Sequence, residues 1–197
     1  MFFHSFFPQK FLAFTQSICR FQLASRVVFF GLFISQLSIF AIFVYKEIQK
    51  NRPIELHYPN SIKITDLKPI KATQAWSDLH FNTNISNGEL KINNHNCLFG
   101  LGTHAQSEIT YAIPPEAKRL VGFAGLDIVG GASGEVNFII QLDGQEKWSS
   151  GLAHAKDPLI SYDLETQGAK ELKLIVDALG NNAYDHSNWC ETQFVKE

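Results

Sequence analysis

The chain has 197 residues, a net charge of −2 and only 18% charged residues. That length holds one domain and an appendage. It offers no basic stripe for phosphate contacts, which argues against a nucleic-acid partner.

Most of the 17 phenylalanines lie before residue 45, so an aromatic N-terminal part precedes an ordinary globular one. Residues 1–26 read as a tail, with Phe2–Phe14 strongly aromatic. Val27–Val44 carries no charge and is broken only by Gln36, Gly31, Ser35 and Ser38. Its length is near the lower limit for a helix crossing a hydrocarbon core about 30 Å thick. A cleaved signal peptide needs small residues after a shorter apolar core. Here Phe43-Val44-Tyr45-Lys46 follows instead. The expectation is an uncleaved single-pass transmembrane helix over residues 27–45. Lys10, Arg20 and Arg26 precede the span, and Lys46, Lys50 and Arg52 follow it, so the positive-inside rule is tied. Residues 46–61, with Pro53 and Pro59, read as a linker.

From residue 62 to 197 the pattern changes to short runs split by turn signals. In Gly100-Leu101-Gly102-Thr103-His104-Ala105 the two glycines suggest a sharp turn that delivers a lone His to the start of a strand. Ser107–Ile113 alternates, with Ile109, Tyr111 and Ile113 on one face. Leu120–Leu126 follows Pro114-Pro115. Glu135–Leu142 is the clearest strand, with Val136, Phe138, Ile140 and Leu142 on one face. Asp143-Gly144 signals a hairpin and Glu146–Ser149 returns. Leu159–Leu164 and Glu171–Val176 alternate again, and Trp189–Val195 closes the chain. No long stripe of helical period appears. Eight to ten short strands at this spacing predict an all-β sandwich with jelly-roll winding. Val129-Gly130-Gly131-Ala132-Ser133-Gly134 enters a strand and lacks the Lys-Ser or Lys-Thr of a phosphate loop, so it is not a nucleotide site.

Five segments in order resemble the "novel putative carbohydrate-binding module" family, over roughly Ile64 to Phe194. They are Ala72-Thr73-Gln74-Ala75-Trp76, the Gly100–Ala105 stretch, Phe123-Ala124-Gly125-Leu126-Asp127, the run from Val136 to Gly151, and Tyr184-Asp185-His186-Ser187-Asn188-Trp189. The resemblance implies a galactose-binding-domain-like jelly roll of the kind appended to glycoside hydrolases. The chain departs from that family where Asp127 is followed by Ile128 rather than by a second acidic residue.

Sugar binding needs a flat aromatic face and paired polar groups for hydroxyls. Trp76, in a loop-like stretch, is the stacking candidate. Trp148 reads as edge-strand packing and Trp189 as core. His104, Asp185 and His186 are the polar candidates, with Asp127 behind them. Resemblance to galactose-binding-type sandwiches implies a structural calcium, for which Glu191 on the last strand is the candidate carboxylate. Zinc is disfavoured because the His and Cys residues lack close ligand spacing. Cys97 and Cys190 read as buried free thiols, or as a disulfide if their elements are neighbours.

The expected function is a membrane-anchored, non-catalytic domain recognising galactose-like or related glycans outside the cytoplasm. Two alternatives remain: a protein-interaction or structural sandwich, and an accessory module of a separate glycoside hydrolase. Asp127, Asp185 and Glu191 sit singly in separate segments, so catalysis by a carboxylate pair is disfavoured.

Overall fold

The structure, a computed structural model, describes residues 38–45 and 56–196. Residues 38–45 are helical. Most of the expected transmembrane span and most of the linker lie outside the described residues. Among the described residues no helix is long and apolar enough to cross a membrane.

The globular part is built from thirteen strands. Five short ones come first: β1 (Ile62–Lys63), β2 (Lys71–Gln74), β3 (His80–Phe81), β4 (Lys91–Ile92) and β5 (His95–Asn96). The longer ones are β6 (Gly100–His104), β7 (Ser107–Ala112), β8 (Arg119–Leu126), β9 (Glu135–Leu142), β10 (Gln145–His154), β11 (Ile160–Glu165), β12 (Glu171–Asp177) and β13 (His186–Val195). One sheet runs β11-β8-β13-β6-β3, with β1 also on β13; the other runs β10-β9-β12-β7-β2. β4 and β5 form a separate hairpin. The all-β sandwich expected from the sequence is present.

The core follows from strand periodicity. Val136, Phe138, Ile140 and Leu142 of β9 are buried, as are Leu172, Leu174 and Val176 of β12. From the facing sheet, the buried Trp189 meets Phe138 edge-on at 5.1 Å and Tyr162 at 5.8 Å. Trp148 is half-buried and packs on Tyr162, as edge-strand packing requires.

Two expectations are corrected. The Gly100–His104 stretch is not a turn; it is the fully buried strand β6. Its glycines serve close approach. A Cβ on Gly100 would lie 2.2 Å from the Trp189 carbonyl oxygen, and one on Gly102 would lie 2.3 Å from that of Thr83. The free-thiol reading is also overturned. Cys97 and Cys190 form a disulfide with their Cα atoms 5.6 Å apart. It sits in a small second core with Leu90, Ile92, Phe123 and Leu159, outside the main sheet interface. This cover explains why β13 is buried on both faces.

The bridge closes a long loop, with a sequence separation of 93 residues. Cross-links of this kind constrain the unfolded chain, by about 2–5 kcal/mol in small domains. A Cys97→Ser, Cys190→Ser double variant should lose stability in that range in urea melts. Reductant should lower the stability of the parent and leave the variant unchanged.

Candidate functional site

One end of the sandwich gathers the predicted polar and aromatic residues. The register places His186, the first residue of β13, directly opposite His104, the last residue of β6. Residues opposite one another in an antiparallel pair project to the same face with their Cβ atoms about 5 Å apart. The two imidazole rings accordingly lie 5.4 Å apart. Trp76 follows β2 of the other sheet and completes a triangle of rings. Its indole is 5.6 Å from His104 and 5.6 Å from His186. Trp76 is 50% exposed. His104 is buried and His186 half-buried.

Local chemistry holds each ring. The Thr103 hydroxyl donates to Gln74 Oε1 at 2.6 Å, and Gln74 Nε2 donates to the Trp76 carbonyl at 3.0 Å. This relay ties the tryptophan loop to the strand that carries His104. His104 Nδ1 lies 2.7 Å from the Ala105 carbonyl oxygen. A carbonyl only accepts, so Nδ1 carries the proton. In the neutral ring Nε2 is then an acceptor. His186 rests on the glycine-rich loop. A Cβ on Gly130 would come within 2.4 Å of the His186 ring, so only glycine fits there without displacing it.

The predicted carboxylates occupy different positions. Asp127 is buried, and each of its oxygens accepts a bond within the protein. Asn84 Nδ2 reaches Oδ2 at 2.8 Å, and the Val129 amide reaches Oδ1 at 2.8 Å. Asp127 is therefore a loop-positioning residue and not an exposed ligand group. Its own amide donates to the His186 carbonyl at 2.8 Å. Asp185 is fully buried, and its Oδ1 accepts the Glu135 amide at 3.0 Å. Its Oδ2 and the Nδ1 of His186 are buried and make no hydrogen bond among the described residues. Burial holds the Asp185 carboxyl above its ordinary pKa, against the Glu135 amide and the field of His104. Burial, then His104, holds the His186 imidazolium below its ordinary value, against the field of Asp127.

Glu191 lies apart from this cluster, at the irregularity in β13 between Cys190 and Gln193. It is fully buried, with φ 51°, and its Oε1 accepts the Leu98 amide at 2.6 Å. Among the described residues no group of three or more His, Cys, Asp or Glu side chains is placed to hold a metal.

Asn84 and Tyr184 are absent from the sequence-derived candidates. Asn84 braces Asp127, and its Oδ1 accepts the Ser86 and Gly88 amides. Nothing in local sequence pattern marks it. Tyr184 is 52% exposed beside the glycine-rich loop, and its place next to Asp185-His186 was the available signal.

The architecture agrees with the comparisons to known proteins. The NPCBM/NEW2 domain family matches residues 60–195, and the chain belongs to that family. Its fold is that of a carbohydrate-binding module. A CBM51 domain from Clostridium perfringens GH95, solved in complex with methyl-galactose, has a TM-score of 0.65 at 20% identity. That match covers 69% of this chain and 100% of the other. A Clostridium perfringens ZmpB structure, with CBM51-2 in complex with GlcNAc, has a TM-score of 0.66 at 24% identity. It is matched over 68% of this chain and 31% of that one. Alpha-1,3-galactosidase B of Akkermansia muciniphila is 29% identical over 137 residues, 66% of this chain. The chain spans only 17% of that enzyme's length.

The depressed His186 pKa fixes a pH dependence. Below the ordinary value of 6.5 the unfolded chain takes up the proton before the folded one. The stability contribution of His186 is full above that pH and falls as pH drops towards the folded pKa. Asp185 acts in the opposite sense, because burial raises its pKa and its penalty is relieved as pH falls. Melting temperatures between about pH 7.5 and about pH 5 should decline less steeply in His186→Asn than in the parent.

Proposed function

We propose that the domain is a non-catalytic carbohydrate-binding module that takes a galactose-like sugar at the Trp76, His104 and His186 cluster. The observation that carries this reading is the half-exposed Trp76 indole standing 5.6 Å from each of two cross-strand histidines. The indole offers a flat face to the C–H face of a pyranose. His104 Nε2 accepts a hydroxyl proton, and the Nδ1 tautomer is fixed by the Ala105 carbonyl. Asp127 and Asp185 brace the surrounding loops. The complexes of related folds with methyl-galactose and GlcNAc, and the galactosidase relative, support the sugar class. The disulfide supports an oxidising compartment, in keeping with a domain held outside the cytoplasm on the apolar Val27–Val44 segment. In that setting it acts as an anchored module or beside a separate glycoside hydrolase.

The test is titration of methyl galactosides and GlcNAc into the protein. A single sugar on so small a contact area should bind near millimolar. Trp76→Ala should cost about 1–3 kcal/mol, enough to remove measurable binding. His104→Ala should weaken binding by leaving a hydroxyl unpaired. Circular dichroism reports whether each variant is folded. Normal binding by both folded variants would place the ligand elsewhere.

A structural calcium at Glu191 is part of the same proposal. A buried carboxylate is the right donor chemistry for a hard cation, and the further ligands would be backbone carbonyls. Calcium should then raise the melting temperature as its concentration rises, and Glu191→Gln should shrink that rise. An unmutated protein that melts at the same temperature with calcium or with chelator rules the ion out.

A further inference from the structure

We infer that the glycine-rich loop and Tyr184 form a second sugar subsite beside the ring cluster, so that the site is built for a galactose-terminated disaccharide. The inference rests on the carbohydrate reading of Trp76, His104 and His186.

Two adjacent glycines of this loop each receive a ring. Gly130 lies against His186, and a Cβ on Gly131 would come within 2.6 Å of Tyr184 Cδ1 and 3.2 Å of its Cε1. A Cβ on Gly134 would lie 2.5 Å from the Tyr184 carbonyl oxygen, so this glycine lets the loop approach the Tyr184 backbone. The loop therefore seats one edge of the tyrosine ring. The residue remains 52% exposed. Its hydroxyl makes no hydrogen bond among the described residues.

Tyr184 is also held in an uncommon backbone conformation, with φ 70°. Such a conformation disfavours a bulky side chain unless its surroundings enforce it. They do so here. The next residue, Asp185, is locked from both ends: its carbonyl accepts the Ala105 amide, and its carboxylate accepts the Glu135 amide. The neighbouring Gly131, at φ 137°, adopts a conformation that an L side chain rarely takes.

Tyr184 and His186 are two residues apart, at most about 7 Å along the chain. One glycosidic linkage bridges a gap of that scale. A sugar on Trp76 and His186 would thus direct its neighbour over the Gly130-Gly131 backbone towards the Tyr184 ring. Ile128 and Val129, at the start of the loop, are exposed. The loop that resembles a phosphate cradle by composition instead supplies backbone thin enough for two rings and a ligand to meet.

The experiment compares methyl galactosides with galactose-terminated disaccharides linked α or β through the 3, 4 or 6 position. Each is titrated into the parent, Tyr184→Ala and Tyr184→Phe. In the parent the preferred disaccharide should bind about threefold to tenfold tighter than any methyl galactoside, the range expected of one added aromatic contact. Tyr184→Ala should erase that gain and leave the monosaccharide affinity unchanged. Tyr184→Phe, which keeps the ring, should retain the gain. If no disaccharide binds tighter than the monosaccharides, or if Tyr184→Ala keeps the gain, the subsite is overturned while the monosaccharide reading stands. If the parent binds none of these sugars, the carbohydrate reading and the subsite fall together. A Tyr184→Ala protein that loses monosaccharide binding as well overturns the subsite in favour of a structural role for the ring.

Discussion

The register between β13 and β6 is the constraint on which the rest of the structure depends. It sets His186 opposite His104, Trp189 opposite Leu101, and Cys190 opposite Gly100. A slip of one residue would reverse every side chain of β13. Trp189 would leave the core, His186 would leave the ring cluster, and Cys190 would turn away from Cys97. Several independent contacts therefore fix one register. The indole fills the interior against Phe138 and Tyr162, the disulfide clamps the outer face, and Asn188 Nδ2 donates to the Lys91 carbonyl at 2.6 Å. The close approach of β6 is possible because Gly100 and Gly102 put no side chain between the strands and the segments they cross.

The same strand explains how polar groups come to lie at the site without exposing the core. At its beginning β13 is bordered by loops rather than by another layer of sheet. Asp127 joins three of the surrounding pieces through single hydrogen bonds: the Asn84 loop, the Val129 turn and the His186 carbonyl. A buried carboxylate is costly unless hydrogen-bonded. Asp127 meets that cost with amide donors and becomes rigid in doing so. Asp185 meets it only in part, since one oxygen has no partner among the described residues, and its carboxyl is correspondingly harder to ionise. Both aspartates thus brace loops, but Asp127 has a partner on each oxygen and Asp185 on one.

How much of this was legible in the sequence depended on whether a strand has one dry face or two. β9 alternates cleanly and β12 nearly so because one face meets the core, and their boundaries were readable to within a residue or so. β13 is buried on both faces, so its polar Ser187, Asn188, Thr192 and Gln193 do not alternate with apolar residues. The sequence reading reached only Trp189–Val195 of it. Gly100 and Gly102 were read as turn-formers because a glycine permits both a turn and a close contact, and sequence does not tell which. The Cys97–Cys190 bridge depends on two segments 93 residues apart in sequence lying side by side, which no local pattern encodes. The site residues fared better. Trp76, His104 and His186 stood out as aromatic or polar residues at strand ends, and the fold brings those three together. Asp127 stood out for the same reason but turned inwards, because loop amides competed for its carboxylate.

Placement of the rings on different kinds of element has a consequence for binding. His104 and His186 are strand residues, held by the ladder and by the core beneath them. Trp76 is on a loop, and the Thr103–Gln74 relay fixes its backbone to β6. Ordering a loop on ligand capture costs entropy, and a surface ligand returns little free energy with which to offset it. The relay reduces that cost by ordering the loop in advance. Its position one residue before His104 couples the aromatic platform to the imidazole acceptor, so both present a single preformed face. The affinity expected for the proposed sugar is then limited by the small contact area rather than by flexibility. Any gain in affinity must come from more contact or from several modules acting together, where the second binding event profits from a high effective concentration.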